Sequence, residues 1–205
     1  MADPWAPLVW IDCEMTGLDP DSDQILEIYC LVTDGHLRPV VPDDPGWGAV
    51  VHVPDAAAAL ARMDAWCTDH HGASGLTEAV LASTISPEAA AAGLLAYVRA
   101  RVPTPRVALL AGNSVHADRA FLRRQPYAAV IEHLHYRILD VSTIKEAAAR
   151  WLPGTQTGQD DGDAPGSHTF RPPPKTGTHR AREDILESIA EARFYKDTIF
   201  ARSQN

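Results

Sequence analysis

The chain has 205 residues, of which 45% are hydrophobic and 22% charged, an ordinary globular composition with enough apolar material for one substantial core. Its net charge of −9, from 27 acids against 18 bases, argues against a protein that grips long nucleic acid through many phosphate contacts, though a short oligonucleotide needs only a few basic or hydroxyl groups. No apolar run approaches the roughly 20 residues of a membrane helix, and the first residues lack a basic stretch followed by an apolar one, so a soluble, cytoplasmic protein without membrane contact is expected. The three cysteines, Cys13, Cys30 and Cys67, are far apart with no CxxC spacing, which points to buried reduced thiols and not to a disulfide framework or a zinc knuckle.

In chain order, "PLVWID" and "QILEIYCLVT" are apolar and rich in β-branched residues, and Gly17, Asp19, Pro20 and Asp21 separate them as strand, turn, strand. "WGAVVHV" supplies a third strand. Helical pieces follow at 56–63, at "GLTEAVLAS" and at "SPEAAAAGLLAYVRARV", where Ser86 is an N-cap and Pro87 takes the first helical position. "RVALLAGN" reads as a buried strand ended by Gly112 and Asn113, "HADRAFLRRQ" as helix, "RILDV" as strand, and "STIKEAAARW" as a helix opened by a hydroxyl cap. Pro, Gly, Asp and Thr dominate 152–178, which predicts a long flexible loop or insertion at about 153–178. "HRAREDILESIAEARFYKDTIF" returns as an amphipathic helix with Ile185, Ile189, Ala192 and Phe194 near helical spacing. The order suits a single α/β domain over 1–205, a mixed sheet flanked by helices.

Within this order one pair of acids stands out. Residues two apart in a strand share a face, so Asp12 and Glu14 project together while Cys13 points the opposite way. Two close carboxylates repel and raise each other's pKa, and a hard divalent cation removes that penalty. The same D-x-E is also found as a plain solvated strand end. Asp118, just after a buried strand at a helix start, and Asp184, in the first turns of the last helix, either complement helix dipoles or complete a carboxylate site. His179, five residues before Asp184 and beside the proline-rich loop, is either a surface histidine or an imidazole able to take a proton from water.

Taken together, "WIDCEMTGLD", "GNSVHADRAFL", "HYRILDVSTIKE" and "GTHRAREDILESI" resemble the DEDDh 3′→5′ exonucleases and, within them, the oligoribonucleases, from about Leu8 to Tyr195 and including "MDAWCTDHHGASGL". The resemblance implies a ribonuclease H-like fold. It implies Asp12, Glu14, Asp118 and Asp184 as ligands of two divalent cations, Mg²⁺ or Mn²⁺, with His179 as general base. The tyrosine subclass carries Tyr four residues before the last acid, where this chain has Arg180, so the histidine subclass is implied. The implied substrates are very short RNA oligonucleotides, chiefly dinucleotides, cut from the 3′ end to nucleoside monophosphates. The implied contacts are Leu18 as a wedge between two bases, Trp66 and His71 on the base and phosphate sides, and Ser114, Tyr136, Arg137, Ser142 and Thr143 capping the 5′ phosphate. A homodimer is implied, with Tyr136 reaching the partner site.

Read without the resemblance, Leu18 is a turn hydrophobe, Trp66 a core aromatic, His71 a surface histidine, and Ser142 and Thr143 a helix cap. The chain departs from the family pattern at Cys13, at Ala117 and Ala120 around Asp118, and in its longer 153–175 stretch. The competing functions are a proofreading or trimming exonuclease with the same chemistry, and a catalytically silent nucleotide- or partner-binding module.

Overall fold

The computed structural model describes residues 6–152, 172–174 and 180–201. The chain order is β1 (Leu8–Met15), β2 (Ile25–Thr33), β3 (Trp47–Val50), α1 (Ala56–Leu60), α2 (Ala65–Ala73), α3 (Leu76–Ala82) and α4 (Pro87–Arg101), then β4 (Leu109–Gly112), α5 (His116–Leu122), α6 (Ala128–His133), β5 (Ile138–Asp140), α7 (Val141–Trp151) and α8 (Ala181–Tyr195). A π-helical turn, Lys196–Phe200, extends α8. The strands form one sheet in the order β3-β2-β1-β4-β5, with β1 antiparallel to β2 and parallel to β4. The expected α/β mixed sheet flanked by helices is therefore what forms.

Because β1 lies in the middle of the sheet, both of its faces must be covered, which is why its first residues read as a continuous apolar run. Val9, Ile11 and Cys13 pack with Ile28, Cys30 and Val32 against Leu94 and Val98 of α4 and Phe121 and Leu122 of α5. Leu8 and Trp10 face the other way, onto Val141 and Ala148 of α7 and Ile185, Ile189 and Tyr195 of α8. Trp10 is fully buried, and its Nε1–H donates to Thr33 Oγ1 at 2.9 Å, so its one polar atom is satisfied. A third cluster joins Leu26 and Val53 to Leu60 and Leu76, fixing α1 and α3 at one end of the sheet.

Ser86 caps α4 as expected, accepting from Ala89 N at 3.2 Å. Several details differ from the sequence reading: α5 stops at Leu122, short of the expected Gln125, and α6 forms in a stretch given no element there. The cap of α7 is Asp140, whose carboxylate accepts from Ser142 N at 3.0 Å, because the helix begins one residue before the expected hydroxyl. "DAWCTDHHGA", not assigned to an element from sequence, is a helix capped by Asp64 on Cys67 N at 2.7 Å, and its polar, Gly-containing composition hides the helical period. The third strand stops at Val50, and the buried Val51 and Val53 run on as irregular chain. Apart from 172–174, the flexible insertion expected at about 153–178 falls outside the described residues. Among the described residues no single helix is long and apolar enough to cross a membrane.

Candidate metal centre and substrate cleft

The site is built where β1 outruns its parallel neighbour. Pairing of β1 with β4 covers only Leu8–Trp10, so from Ile11 onward that edge of β1 lacks a strand partner. Gly112 ends β4 where a Cβ would sit 3.2 Å from Ile11 O, allowing the chain to turn tightly against β1 into α5. The first turn of α5 then brings Asp118 to the open edge, where its Oδ1 accepts the Cys13 N–H at 2.9 Å. Asp118 thus completes the sheet edge while standing beside Asp12 and Glu14.

On the other side, Glu14 pairs with Glu27, but Met15 pairs with Ile25, a bulge immediately after the second acid. The strand bends there, and the Met15 carbonyl is met by His71 Nε2 at 2.9 Å, while His71 Nδ1 lies 3.9 Å from Glu14 Oε2. Asp184 arrives from above the sheet in the first turn of α8. Carboxylate oxygens of Asp12, Glu14 and Asp184 all lie within 4.8 Å of one another.

Such proximity is electrostatically costly. Burial, and then the charges of Asp118, Glu14 and Asp184, hold the Asp12 carboxyl well above the usual range. Glu14 is pushed up to about 7, by burial first and then by Asp184, Glu27 and Asp118, with Arg180 pulling the other way. Burial likewise raises Asp118 to about 7 against the lowering hydrogen bond from Cys13 N. An all-oxygen donor set under mutual repulsion fits a hard divalent cation, which would relieve the charge and be held by Asp12, Glu14 and Asp184. Asp118 stands outside that tight set but lines the same cleft.

The cleft has a volume of about 750 Å³, and its walls include all four acids, Leu18, Trp66, His71 and Ser114. Leu18 is 80% exposed at the mouth, on a turn braced by Asp23, whose carboxylate accepts from Thr16 Oγ1 at 2.8 Å and Asp19 N at 3.0 Å. A Cβ at Gly17 would meet the Asp23 carboxylate at 2.4 Å, so a larger residue there would have to displace that brace. Trp66 is exposed and stacks on His70 with ring centroids 4.0 Å apart, so it is not a core aromatic. His71 is only 1% exposed, so it is no surface histidine; it braces the strand end beside Glu14.

Ser114 adopts a left-handed backbone (φ 50°) and donates its N–H to Asp140 Oδ1 and Ser142 Oγ, both at 3.0 Å, which joins Ser142 to the cleft wall. Tyr136, Arg137 and Thr143 are exposed and lie outside the cleft lining, Tyr136 stacking on His135 at 4.5 Å. His179 lies outside the described residues. Sequence reasoning missed Asp64 and Asn113 in the cleft wall, and Glu27 and Arg180 behind it. An acid inside the apolar run "QILEIYCLVT" was the available signal for Glu27.

The exonuclease family model RNase_T matches residues 9–192. The mitochondrial oligoribonuclease of Saccharomyces cerevisiae is 45% identical over 195 residues, covering 93% of this chain and 66% of that protein. The oligoribonuclease of Mycobacterium avium is 47% identical over 193 residues, covering 94% of this chain and 81% of that protein. Among solved structures, E. coli exonuclease I in complex with a dT13 oligonucleotide superposes with a TM-score of 0.63 at 18% identity, covering 97% of this chain and 42% of that one, a likeness of fold. With its acids gathered as described and these identities along nearly its whole length, the chain belongs to the exonuclease family and, within it, to the oligoribonucleases.

Proposed function

We propose that this chain is a divalent-cation-dependent 3′→5′ exoribonuclease that hydrolyses very short RNA, chiefly dinucleotides, to nucleoside 5′-monophosphates. The observation that carries the reading is the convergence of Asp12, Glu14, Asp118 and Asp184, from three separate segments, in one cleft with an exposed Leu18 at its mouth. Asp12, Glu14 and Asp184, joined by Asp118, would hold two cations, Mg²⁺ or Mn²⁺. When bound, such ions lower the pKa of water and stabilise the attacking and leaving oxygens of an in-line displacement.

The chain's own residues supply the rest. His179 accepts at an imidazole nitrogen the proton of the water that attacks the terminal phosphorus; the bond from phosphorus to the 3′ oxygen of the preceding nucleotide breaks, and that oxygen takes up a proton. Leu18 sets the base step and the Trp66 indole stacks on a base, a contact available to every base. His71 holds the bend after Glu14, with its Nδ1 3.9 Å from Glu14 Oε2, and so supports the phosphate side of the site. Ser114 and Ser142 offer hydroxyls to a 5′ phosphate, with Arg137, Thr143 and Tyr136 closing that end. A guanidinium fork matches phosphate oxygens, so closing the pocket one nucleotide beyond the cut selects length and not sequence. The chain acts as a homodimer in which Tyr136, 70% exposed, reaches the partner's site. Its compartment is aqueous and reducing, in keeping with three buried free cysteines, and cytoplasm and mitochondrial matrix both meet that condition.

A length series of 5′-phosphorylated RNAs, with Mg²⁺, with Mn²⁺ and with chelator, tests the reading. Cation-dependent turnover should be fastest on the dinucleotide. Equal rates on a dinucleotide and on an RNA several times longer would overturn the length selection. Light scattering of the purified protein tests the dimer.

A further inference from the structure

Glu27 lies in the middle of an apolar strand and is 8% exposed, yet it puts one more negative charge beside the acidic cluster, directly across the sheet from Glu14. It is not one of the three acids whose carboxylate oxygens lie within 4.8 Å of one another. Its contacts lie elsewhere: Arg180 Nε donates to its two oxygens at 3.0 and 3.2 Å, Arg180 Nη2 to Oε1 at 2.7 Å, and Ala181 N to Oε2 at 3.2 Å. Arg180 is the N-cap of α8 and makes no side-chain cap hydrogen bond of its own, so an acid from β2 takes one of the N–H groups that a helix start leaves unpaired. Arg180 Nη1 also reaches Ser74 O at 3.3 Å, at the end of α2, the helix that carries Trp66 and His71. One helical turn on, Asp184 N donates to Arg180 O at 3.1 Å. Any shift of Arg180 is therefore transmitted directly to Asp184.

We propose that Glu27 and Arg180 are a positioning pair that fixes the first turn of α8, so that Asp184 closes one cation-binding set with Asp12 and Glu14. The proposal rests on the metal-centre reading given above. A planar fork on a buried carboxylate fixes angle as well as distance, which a single ion contact does not. Loss of such an outer partner typically weakens metal binding about 10–100-fold.

The test is calorimetric titration of Mn²⁺ into the metal-free full chain at low temperature, each variant first shown to be folded by circular dichroism. Glu27→Gln and Arg180→Met change the local charge in opposite senses. A pair acting only through its field would weaken cation binding in the first variant and strengthen it in the second. Positioning predicts at least tenfold weaker binding in both, and weaker binding in Arg180→Lys, which keeps the charge and loses the fork. On dinucleotide the same variants should lose turnover at saturating RNA with little change in KM. Opposite signs, or unchanged Mn²⁺ affinity in Arg180→Lys, would overturn the proposal. Asp184→Asn serves as the control: if it too leaves Mn²⁺ binding intact, the metal-centre reading itself fails, whereas loss in Asp184→Asn alone refutes only the positioning role.

Discussion

Crowding of carboxylates should make the metal-free protein less stable as pH rises through neutrality, the reverse of an ordinary salt-bridged acid. Glu14 titrates near 4.5 when unfolded and at about 7 in the fold. At about 1.4 kcal/mol per decade this corresponds to about 3 kcal/mol of stability, fully present below the unfolded value and lost as pH rises through 7. Linkage places about 2 kcal/mol of that loss between pH 5.5 and 8.5, and Asp118, also held at about 7, acts in the same direction. Acids whose pKa is lowered, such as Asp34 and Asp44, stay ionised across this window and do not mask the trend. For a chain of this size the melting temperature should fall by about 4–8 °C from Glu14 alone. Melts in chelator across pH 5.5 to 8.5 measure it; excess Mg²⁺ should recover the loss, more at pH 8.5 than at 5.5, and Glu14→Gln should flatten the slope. A melting temperature that is flat or rises with pH without metal, or an unchanged slope in Glu14→Gln, would refute the reasoning.

Three further outcomes follow from the same geometry. Leu18→Ala, at an 80% exposed position, should leave stability within about 0.5 kcal/mol while raising KM for a dinucleotide about tenfold, read by steady-state kinetics and a melt on the same preparation. Asp118→Ala should cost about 1–3 kcal/mol by orphaning the Cys13 N–H, whereas Asp118→Asn keeps an acceptor and melts near the parent; both should lose turnover, so comparing the two melts separates the strand-edge role from the cation role. Trp10→Ala should lower stability by about 3–5 kcal/mol, seen as a collapse of the denaturant midpoint, because it empties the space between β1 and α8 and strands the buried Thr33 hydroxyl.

The sequence by itself determined the alternation that puts Asp12 and Glu14 on one face and Cys13 on the other, the capped helix at Ser86, the amphipathic last helix, and the four motifs that carry the family resemblance. Those features depend on neighbours one to four residues away, and strand and helix periods record them directly. It determined less where side chains compete for a backbone group: Asp140, not Ser142, caps α7, and Asp64 starts a helix whose polar composition carries no visible period.

Tertiary structure alone decided how Asp118 reaches the cluster. Its place depends on β1 running past the end of β4, a consequence of sheet order that no local pattern encodes. It also decided that His71 is buried against the Met15 carbonyl, 56 residues away, and that Glu27 meets Arg180 across 153 residues. Glu27 read simply as an acid in an apolar strand, because a buried charge declares that it has a partner without naming it; only the packing of α8 on the sheet supplies Arg180.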